Sequence, residues 1–241
     1  MSEAFYSGKA KTLYRATEPG YLVMDFRDDV TAFNGEKHAT LQCKGELNCA
    51  INTLVMEYLE SQGIATHFVR QLDAHSTLVK AARVLPVECI FRNRVAGSFM
   101  KKYGLGLGDE LAHPVYEYCV KSDALGDPLI APGAITALGM LTPEQLEWTG
   151  QETARINRVL GELFADCDYQ LVDGKLEFGL LEESGELALV DEFTPDSCRL
   201  WSAQGERFDK DLFREDLGDL VGGYREVHRR LCSALRQPVE P

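Results

Sequence analysis

The residues with the clearest chemical meaning flank the turn Glu183-Ser184-Gly185. Upstream, Lys175-Leu176-Glu177-Phe178-Gly179-Leu180 alternates, placing Leu176, Phe178 and Leu180 on one face of a strand and Lys175 and Glu177 on the other. Downstream, Leu187-Ala188-Leu189-Val190-Asp191-Glu192 alternates as well. Glu177 and Asp191 lie equally far from Ser184, so a hairpin centred there sets the two carboxylates opposite each other. A two-residue turn pairs Glu177 with Glu192 instead, because loop length sets register. Opposed carboxylates need a cation between them, and Mg²⁺ shared with nucleotide phosphates meets that need. The competing reading is a solvated face whose acids are neutralised by Lys175 or an arginine.

Two further clusters suit anions. In Arg92-Asn93-Arg94-Val95-Ala96-Gly97-Ser98, two guanidinium groups two residues apart share a side if the strand continues. The Gly-Ser that follows opens a helix whose N–H groups can accept a phosphate or carboxylate. Arg199, within Pro195-Asp196-Ser197-Cys198-Arg199-Leu200-Trp201, can add a third cationic donor; pairing with the chain's many acids is the plain alternative. Ser7-Gly8-Lys9-Ala10-Lys11-Thr12 brings a glycine and two alternating lysines to a strand start, without the spacing of a Walker loop or a dinucleotide fingerprint. Edge lysines also serve simply to block strand pairing. Lys121-Ser122-Asp123-Ala124-Leu125-Gly126-Asp127-Pro128 mixes charge signs, as a zwitterion site or a solvated turn would. The five histidines and seven cysteines have no metal-ligand spacing and no C-x-x-C pair, so structural histidines and free, mostly buried thiols are expected.

These residues must be positioned by a mixture of elements. Thr12–Tyr14 and Tyr21–Phe26 read as strands, separated by Glu18-Pro19-Gly20. Asn48 to Gln62 has helical spacing and is followed by Gly63. Strands are expected at His67–Gln71, Thr77–Val84 and Val87–Arg92, the last entered through Pro86, then a short helix at Ser98–Tyr103 stopped by Gly104. Gly104–Gly139, rich in glycine and proline, is expected to be irregular. Thr142, Pro143 and Gln145 form a helix start with a capping box. Strands return at Gln170–Val172, Lys175–Leu181 and Glu186–Phe193, and one amphipathic helix spans Leu212–Leu235. Strands at both ends with helices between them predict an α+β fold.

Composition narrows the field. The chain has 241 residues, 45% of them hydrophobic, which is ample for a core and excludes a disordered chain. No apolar run approaches the ~20 residues that cross a bilayer. The first residues lack a basic stretch followed by an apolar one, so no secretory leader is expected. A net charge of −13 disfavours general binding to nucleic acid or anionic membranes while allowing a local basic pocket. With its unpaired cysteines, the chain is expected in the reducing cytoplasm.

Seven blocks together carry a resemblance: YSGKAKTLY (Tyr6–Tyr14), TAFNGEK (Thr31–Lys37), KGELN (Lys44–Asn48), PVECIFRNRVAGS (Pro86–Ser98), KSDALGDP (Lys121–Pro128), LVDGKLEFG (Leu171–Gly179) and DEFTPDSCRLW (Asp191–Trp201). In this order they resemble the phosphoribosylaminoimidazole-succinocarboxamide synthase (SAICAR synthetase) family of purine biosynthesis, over Tyr6 to about Leu231. The resemblance implies a two-lobed α+β fold related to ATP-grasp and kinase-like nucleotide binders. A β-rich nucleotide-binding lobe would cover residues 1–85 and an α+β lobe with substrate and metal sites residues 86–241. It implies ATP-dependent joining of L-aspartate to carboxyaminoimidazole ribonucleotide (CAIR), with Mg²⁺ as cofactor and an acyl phosphate on the way. Lys9, Ala10 and Lys11 match the phosphate-covering strand, Val84, Leu85 and Pro86 the adenine region, and Glu177 and Asp191 the Mg²⁺–ATP carboxylates. Arg92, Ser98 and Arg199 match positions holding the ribonucleotide. Lys121 and Lys175 fall near the reacting groups, and Asp123, Asp127 and Asp196 in or near the substrate pocket, Asp196 grouped with the catalytic lysines. The family admits a homodimer. The chain departs from the pattern at Asn34, where many members carry Asp, and at Ala131-Pro132-Gly133-Ala134, where a more polar loop is expected. A small-molecule kinase and a nucleotide-binding regulatory protein without turnover are the rival readings; intact Glu177, Asp191 and Lys175 and the separate Arg and Lys121/Asp127 clusters favour the ligase.

Overall fold

Short strands build the first sheet. A computed structural model of the protein describes residues 4–32 and 35–236, so Asn34 lies outside the described residues. β1 (Ala4–Ser7), β2 (Lys11–Arg15) and β3 (Tyr21–Phe26) form an antiparallel meander, and β4 (Asp29–Ala32) pairs separately with β5 (Lys37–Thr40). After helix α1 (Lys44–Ser61), β6 (Phe68–Gln71) and β7 (Ser76–Lys80) complete the sheet in the order β1-β2-β3-β7-β6. β3 alternates as expected: Leu22, Met24 and Phe26 are buried against Cys49 of α1 and Val79.

The second sheet comes from β8 (Ala82–Arg94), β9 (Glu110–Val120), β10 (Gln170–Leu181), β11 (Leu187–Val190) and β12 (Cys198–Trp201). Its order is β11-β10-β8-β9, with β12 also on β10. Helix α2 (Gly97–Tyr103) follows β8, α3 (Pro132–Ala137) and the long α4 (Pro143–Asp166) precede β10, and α5 (Asp211–Arg214) and α6 (Leu220–Arg236) close the chain. Thr142 and Gln145 make the capping box that opens α4. One large core joins Ile51, Val55 and Leu59 of α1 to Ile156 and Leu160 of α4, Phe178 of β10 and Val227 of α6. The antiparallel sheets and separate helices are an α+β architecture.

Three expectations are corrected. Gly104–Gly139 holds the eleven-residue strand β9 and α3; the Val115–Val120 run pairs with Val87–Arg92, and Pro114 sits where the register shifts. Pro86 does not begin a strand, because β8 runs through it. There the ladder to β10 slips, so the missing N–H costs no ladder bond, while the Pro86 carbonyl accepts from Lys121 N at 3.0 Å. The final helix is two, since Gly218, at φ 149, interrupts the path between α5 and α6.

Helix α1 begins without a side-chain cap of its own; Asp28 Oδ1 instead accepts from Gly45 N at 2.8 Å. The close approach requires glycine, because a Cβ at Gly45 would drive into the Phe26 carbonyl. The two sheets meet at residues 65–67. Leu189 N donates to Ala65 O, His67 N donates to Leu189 O at 2.9 Å, and His67 Nε2 lies 2.9 Å from Asp191 O. Burial disfavours a charged ring there and pushes His67 down to about 4.

Gly45→Ala is therefore expected to destabilise the protein by about 1–3 kcal/mol in denaturant melts, since backbone, not a flexible side chain, blocks the added methyl. For His67, the unfolded chain binds a proton near pH 6.5 that the native chain takes up only near 4. Its contribution to stability is thus full above pH 6.5 and declines as pH falls through that window, by at most about 3 kcal/mol. Comparing the pH dependence of stability with that of His67→Gln checks the sign. An imidazole resonance titrating at the ordinary value would refute the assignment.

Candidate functional site

A cavity of about 930 Å³ opens between the two sheets. Its apolar wall is Leu13, Leu22, Met24, Val79, Val84 and Val190, a slot suited to a flat heterocycle. Its polar end carries Lys9, Lys11, Lys121, Lys175 and Lys210 with Glu88, Glu177, Asp191, Glu192 and Asp196. Ala10, Asp123 and Asp127 also line it. Of the expected adenine positions, Val84 lines the cavity, whereas the Leu85 side chain is in the core and Pro86 serves through its carbonyl.

The turn carrying Lys9 and Lys11 is held by Arg27. Its guanidinium donates to Ser7 Oγ at 2.8 Å, Thr12 Oγ1 at 2.9 Å and Gly8 O at 2.5 Å. Lys9 reaches Asp123 at 2.8 Å on the surface, while Lys11 pairs with Asp191 and lies 3.7 Å from Glu192.

The hairpin register differs from both expected alternatives. Glu177 faces Val190, and its cross-strand carboxylate is Glu88 of β8 on the other side. Lys175 bridges this pair, 2.7 Å from Glu88 and 3.3 Å from Glu177, and Lys121 binds the other Glu177 oxygen at 2.7 Å. A regular strand would turn Asp191 away from Glu177. Instead β11 ends at Val190 and Asp191 takes φ 67, a left-handed conformation Asp tolerates, which breaks the alternation and returns its carboxylate to Lys11. Burial alone would lift Asp191, but Lys11, with Lys175 and Lys121, holds it below the usual carboxylate range. Burial likewise works against the charge of Lys11, Lys121 and Lys175, yet their carboxylate partners keep all three above the ordinary lysine value.

The arginines form a second group on β8, β10 and β12. Asp173 Oδ2 accepts from Arg92 at 3.3 Å and Arg199 at 2.8 Å, and Ser98 Oγ accepts from Arg92 at 3.3 Å. Arg92 also meets Glu117, and Arg199 meets Asp211. Gly97, at φ 53, leaves room for this, since a Cβ there would lie 2.6 Å from Arg199 Nη2. Arg92, Ser98 and Arg199 are thus brought together, whereas Arg94 diverges to Glu110 and Gly108 O. The expectation that Arg92 and Arg94 act side by side fails because the ladder to β9 shifts between them.

Asp196 is bound on both oxygens. Lys44 at 2.6 Å and Asn48 at 2.9 Å meet Oδ2, and Tyr224 of α6 donates to Oδ1 at 2.7 Å. Burial would raise this carboxyl, but the fully buried Lys44, the charge of Lys210 and the hydrogen bonds hold it well below the usual range. Lys44 and Asn48 lie one helical turn apart at the two ends of the KGELN block, the sequence signals that could have marked them. Five cysteines are buried, and burial pushes Cys49 and Cys89 up to about 12, which makes them inert hydrophobes. Residues 130–140 do not line the cavity; Ile135 of α3 is buried in the core.

Among the described residues no three His, Cys, Asp or Glu side chains converge as a cage for a metal ion. Glu177 and Asp191 instead suit a hard divalent cation that takes one or two carboxylates and completes its shell with phosphate oxygens and water.

The family profile for SAICAR synthetase matches residues 4–231. A phosphoribosylaminoimidazole-succinocarboxamide synthase of Acidithiobacillus ferrooxidans is 48% identical over 229 residues, 95% of each chain. The crystal structure of that synthase from Ehrlichia chaffeensis superposes with a TM-score of 0.93 at 39% identity, covering 95% of this chain and 98% of that one. A SAICAR synthetase solved in complex with ADP gives a TM-score of 0.91 at 36% identity, covering 98% and 99%. The chain belongs to the SAICAR synthetase family.

Proposed function

We propose that the cleft joins L-aspartate to the carboxylate of CAIR at the expense of ATP, giving SAICAR, ADP and phosphate. The enzyme is an ATP-dependent C–N ligase of purine biosynthesis. The observation that carries the reading is the meeting of Lys11, Lys121 and Lys175 with Glu177 and Asp191 at the polar end of a cavity whose other end is apolar. We further assign residues 1–85 to the nucleotide lobe and 86–241 to the substrate lobe, and place the enzyme in the cytoplasm.

The apolar wall would take adenine. The Lys9–Lys11 turn would cover the phosphates, and Glu177 and Asp191 would hold Mg²⁺, which offsets phosphate charge when bound. With those carboxylates so engaged, Lys11 and Lys121 would be free to turn to phosphoryl oxygens, and Lys175 would keep Glu88 as its remaining acidic partner. Arg92, Ser98 and Arg199 would grip the 5′-phosphate of the ribonucleotide, with Asp123 and Asp127 at the mouth of the pocket.

The chemistry asks for activation, because a carboxylate is anionic and lacks a leaving group. A carboxylate oxygen of CAIR attacks the γ-phosphorus, the bond to ADP breaks, and an acyl phosphate forms. The aspartate amine, having lost a proton, then attacks the acyl carbon, and phosphate departs with the C–O bond electrons. Lys121 and Lys175 would stabilise charge on the transferring group. Asp196, tied by Lys44, Asn48 and Tyr224, would act as a fixed charge, since a carboxylate held this far into its ionised form is a weak proton acceptor.

The direct test incubates the protein with Mg²⁺–ATP and CAIR, with and without L-aspartate, and follows products by mass. Adduct formation that requires aspartate is expected; ATP binding without adduct would sink the reading. Glu177→Gln should lower turnover on the order of 100-fold or more while the protein stays folded. Unchanged Mg²⁺-dependent turnover in that variant would remove Glu177 from its assigned role.

A further inference from the structure

Six lysines line the cavity, and five of them have an oxygen partner. Lys9 meets Asp123, Lys11 meets Asp191, Lys121 meets Glu177, Lys175 meets Glu88, and Lys80 reaches Thr66 O at 3.4 Å. Lys210 is different. Its backbone N–H donates to Pro195 O at 3.1 Å, which seats it beside the turn that carries Asp196. Among the described residues its Nζ has no hydrogen-bond or ion-pair partner. The nearby acids attract Lys210 without meeting it: Asp196, whose oxygens are taken by Lys44, Asn48 and Tyr224, and Glu192, with Lys11 3.7 Å away, both act on it from beyond ion-pair distance. Burial, helped by repulsion from Arg214 and Lys44, outweighs the attraction of Asp196 and Glu192 and pushes the Lys210 ammonium below the ordinary lysine range.

A largely desolvated ammonium with no partner in contact disfavours the fold unless an anion meets it. The anions of the proposed reaction can be allotted one by one. Nucleotide phosphates fall to the lysines around Glu177 and Asp191, the ribonucleotide phosphate to Arg92, Ser98 and Arg199, and the reacting carboxylate to Lys121 and Lys175. The two carboxylates of the amino-acid substrate are left, and Lys210 is the cavity cation left. Its surroundings suit a zwitterion, because Glu192 and Asp196 on the same wall give a negative field for the substrate ammonium. Glu192 also keeps a buried Oε2 without a hydrogen-bond donor. Lys210 directly precedes Asp211, the partner of Arg199, so this position adjoins the arginine group.

We infer that Lys210 is the cationic receptor for a carboxylate of the L-aspartate substrate, with the substrate ammonium directed toward Glu192 and Asp196. The inference rests on the proposed ligase reading and is tested separately from it. Lys210→Met removes the charge at nearly constant length, and Lys210→Arg restores it. With the full-length enzyme, Mg²⁺–ATP and CAIR, Lys210→Met should raise KM for L-aspartate roughly 10- to 100-fold. KM for ATP and CAIR should stay within about twofold, and Lys210→Arg should recover most of the loss. Thermal stability should be unchanged or higher in Lys210→Met, since no folded-state ion pair is lost.

Succinate supplies a readout without turnover, having both carboxylates and no amine to react. Calorimetric binding of succinate in the presence of CAIR and a non-hydrolysable ATP analogue should weaken by a similar factor in Lys210→Met. Wild-type affinity for aspartate and succinate in that variant would overturn the inference while adduct formation by the wild-type enzyme leaves the ligase reading standing. A rise confined to KM for CAIR would likewise overturn it and assign Lys210 to the ribonucleotide. Should the wild-type enzyme form no adduct, the ligase reading fails; charge-dependent succinate binding would still establish a dicarboxylate site at Lys210. No succinate binding by either protein would overturn both.

Discussion

A carboxylate withdrawn from water is costly unless a cation or several donors meet it, and five of them line the polar end of one cavity here: Glu88, Glu177, Asp191, Glu192 and Asp196. Their compensation explains most of the local architecture. Lys175 lies between Glu88 and Glu177, Lys121 covers the free Glu177 oxygen, Lys11 crosses from the first sheet to Asp191, and Lys44 is buried outright against Asp196. Lys11–Asp191 ties the first sheet to the second, Lys44–Asp196 ties α1 to the turn before β12, and the Lys175 and Lys121 pairs knit the strands of the second sheet, so these charges also fasten the elements around the cavity. Such pairs add little net stability over apolar packing, but removing one partner leaves a stranded charge. This constraint accounts for buried lysines better than a search for extra stability does.

The lysines and arginines are used differently. Asp173 accepts from both Arg92 and Arg199, so the planar guanidinium groups are fixed in one orientation from the two strands that pair with β10. That is an arrangement for gripping a group that does not react, such as a terminal phosphate. The lysines are single point charges on flexible stems, each able to exchange a carboxylate for a phosphoryl oxygen with small movement. A group that changes charge distribution during reaction is better served by the second kind.

Legibility in the sequence followed the range of the interactions. Local signals were decisive where local chemistry rules: the Thr142–Gln145 box opens α4, Gly104 stops α2, and alternation in β3 buries Leu22, Met24 and Phe26. Pairing across sequence was harder. Glu177 and Asp191 were both legible as acids of one cleft, but their opposition across a hairpin was not, since a single left-handed residue at Asp191 replaces regular register. Strand β9 was hidden because Pro114 and the glycines before it resemble loop, whereas a register shift absorbs the proline. Arg27, Glu88 and Lys44 were missed for another reason: each acts by holding a group supplied from elsewhere, and only the folded chain shows which group that is.

The protein is strongly acidic overall, at −13, yet its proposed substrates are all anions. The two facts are compatible because they act over different distances. At physiological ionic strength the surface field is screened beyond about 8 Å, so net charge modulates encounter more than binding. Inside the cavity the dielectric is lower, and the sign of the nearest groups decides. There the carboxylates are nearly matched by lysines, which leaves a pocket that is neither strongly attractive nor repulsive as a whole. An anion arriving with a divalent cation fits this balance, because the cation can take the carboxylates while the released lysines take the anion. An anion arriving without one needs a cation that no carboxylate already holds, and among the lysines of the cavity that condition is met most fully by Lys210.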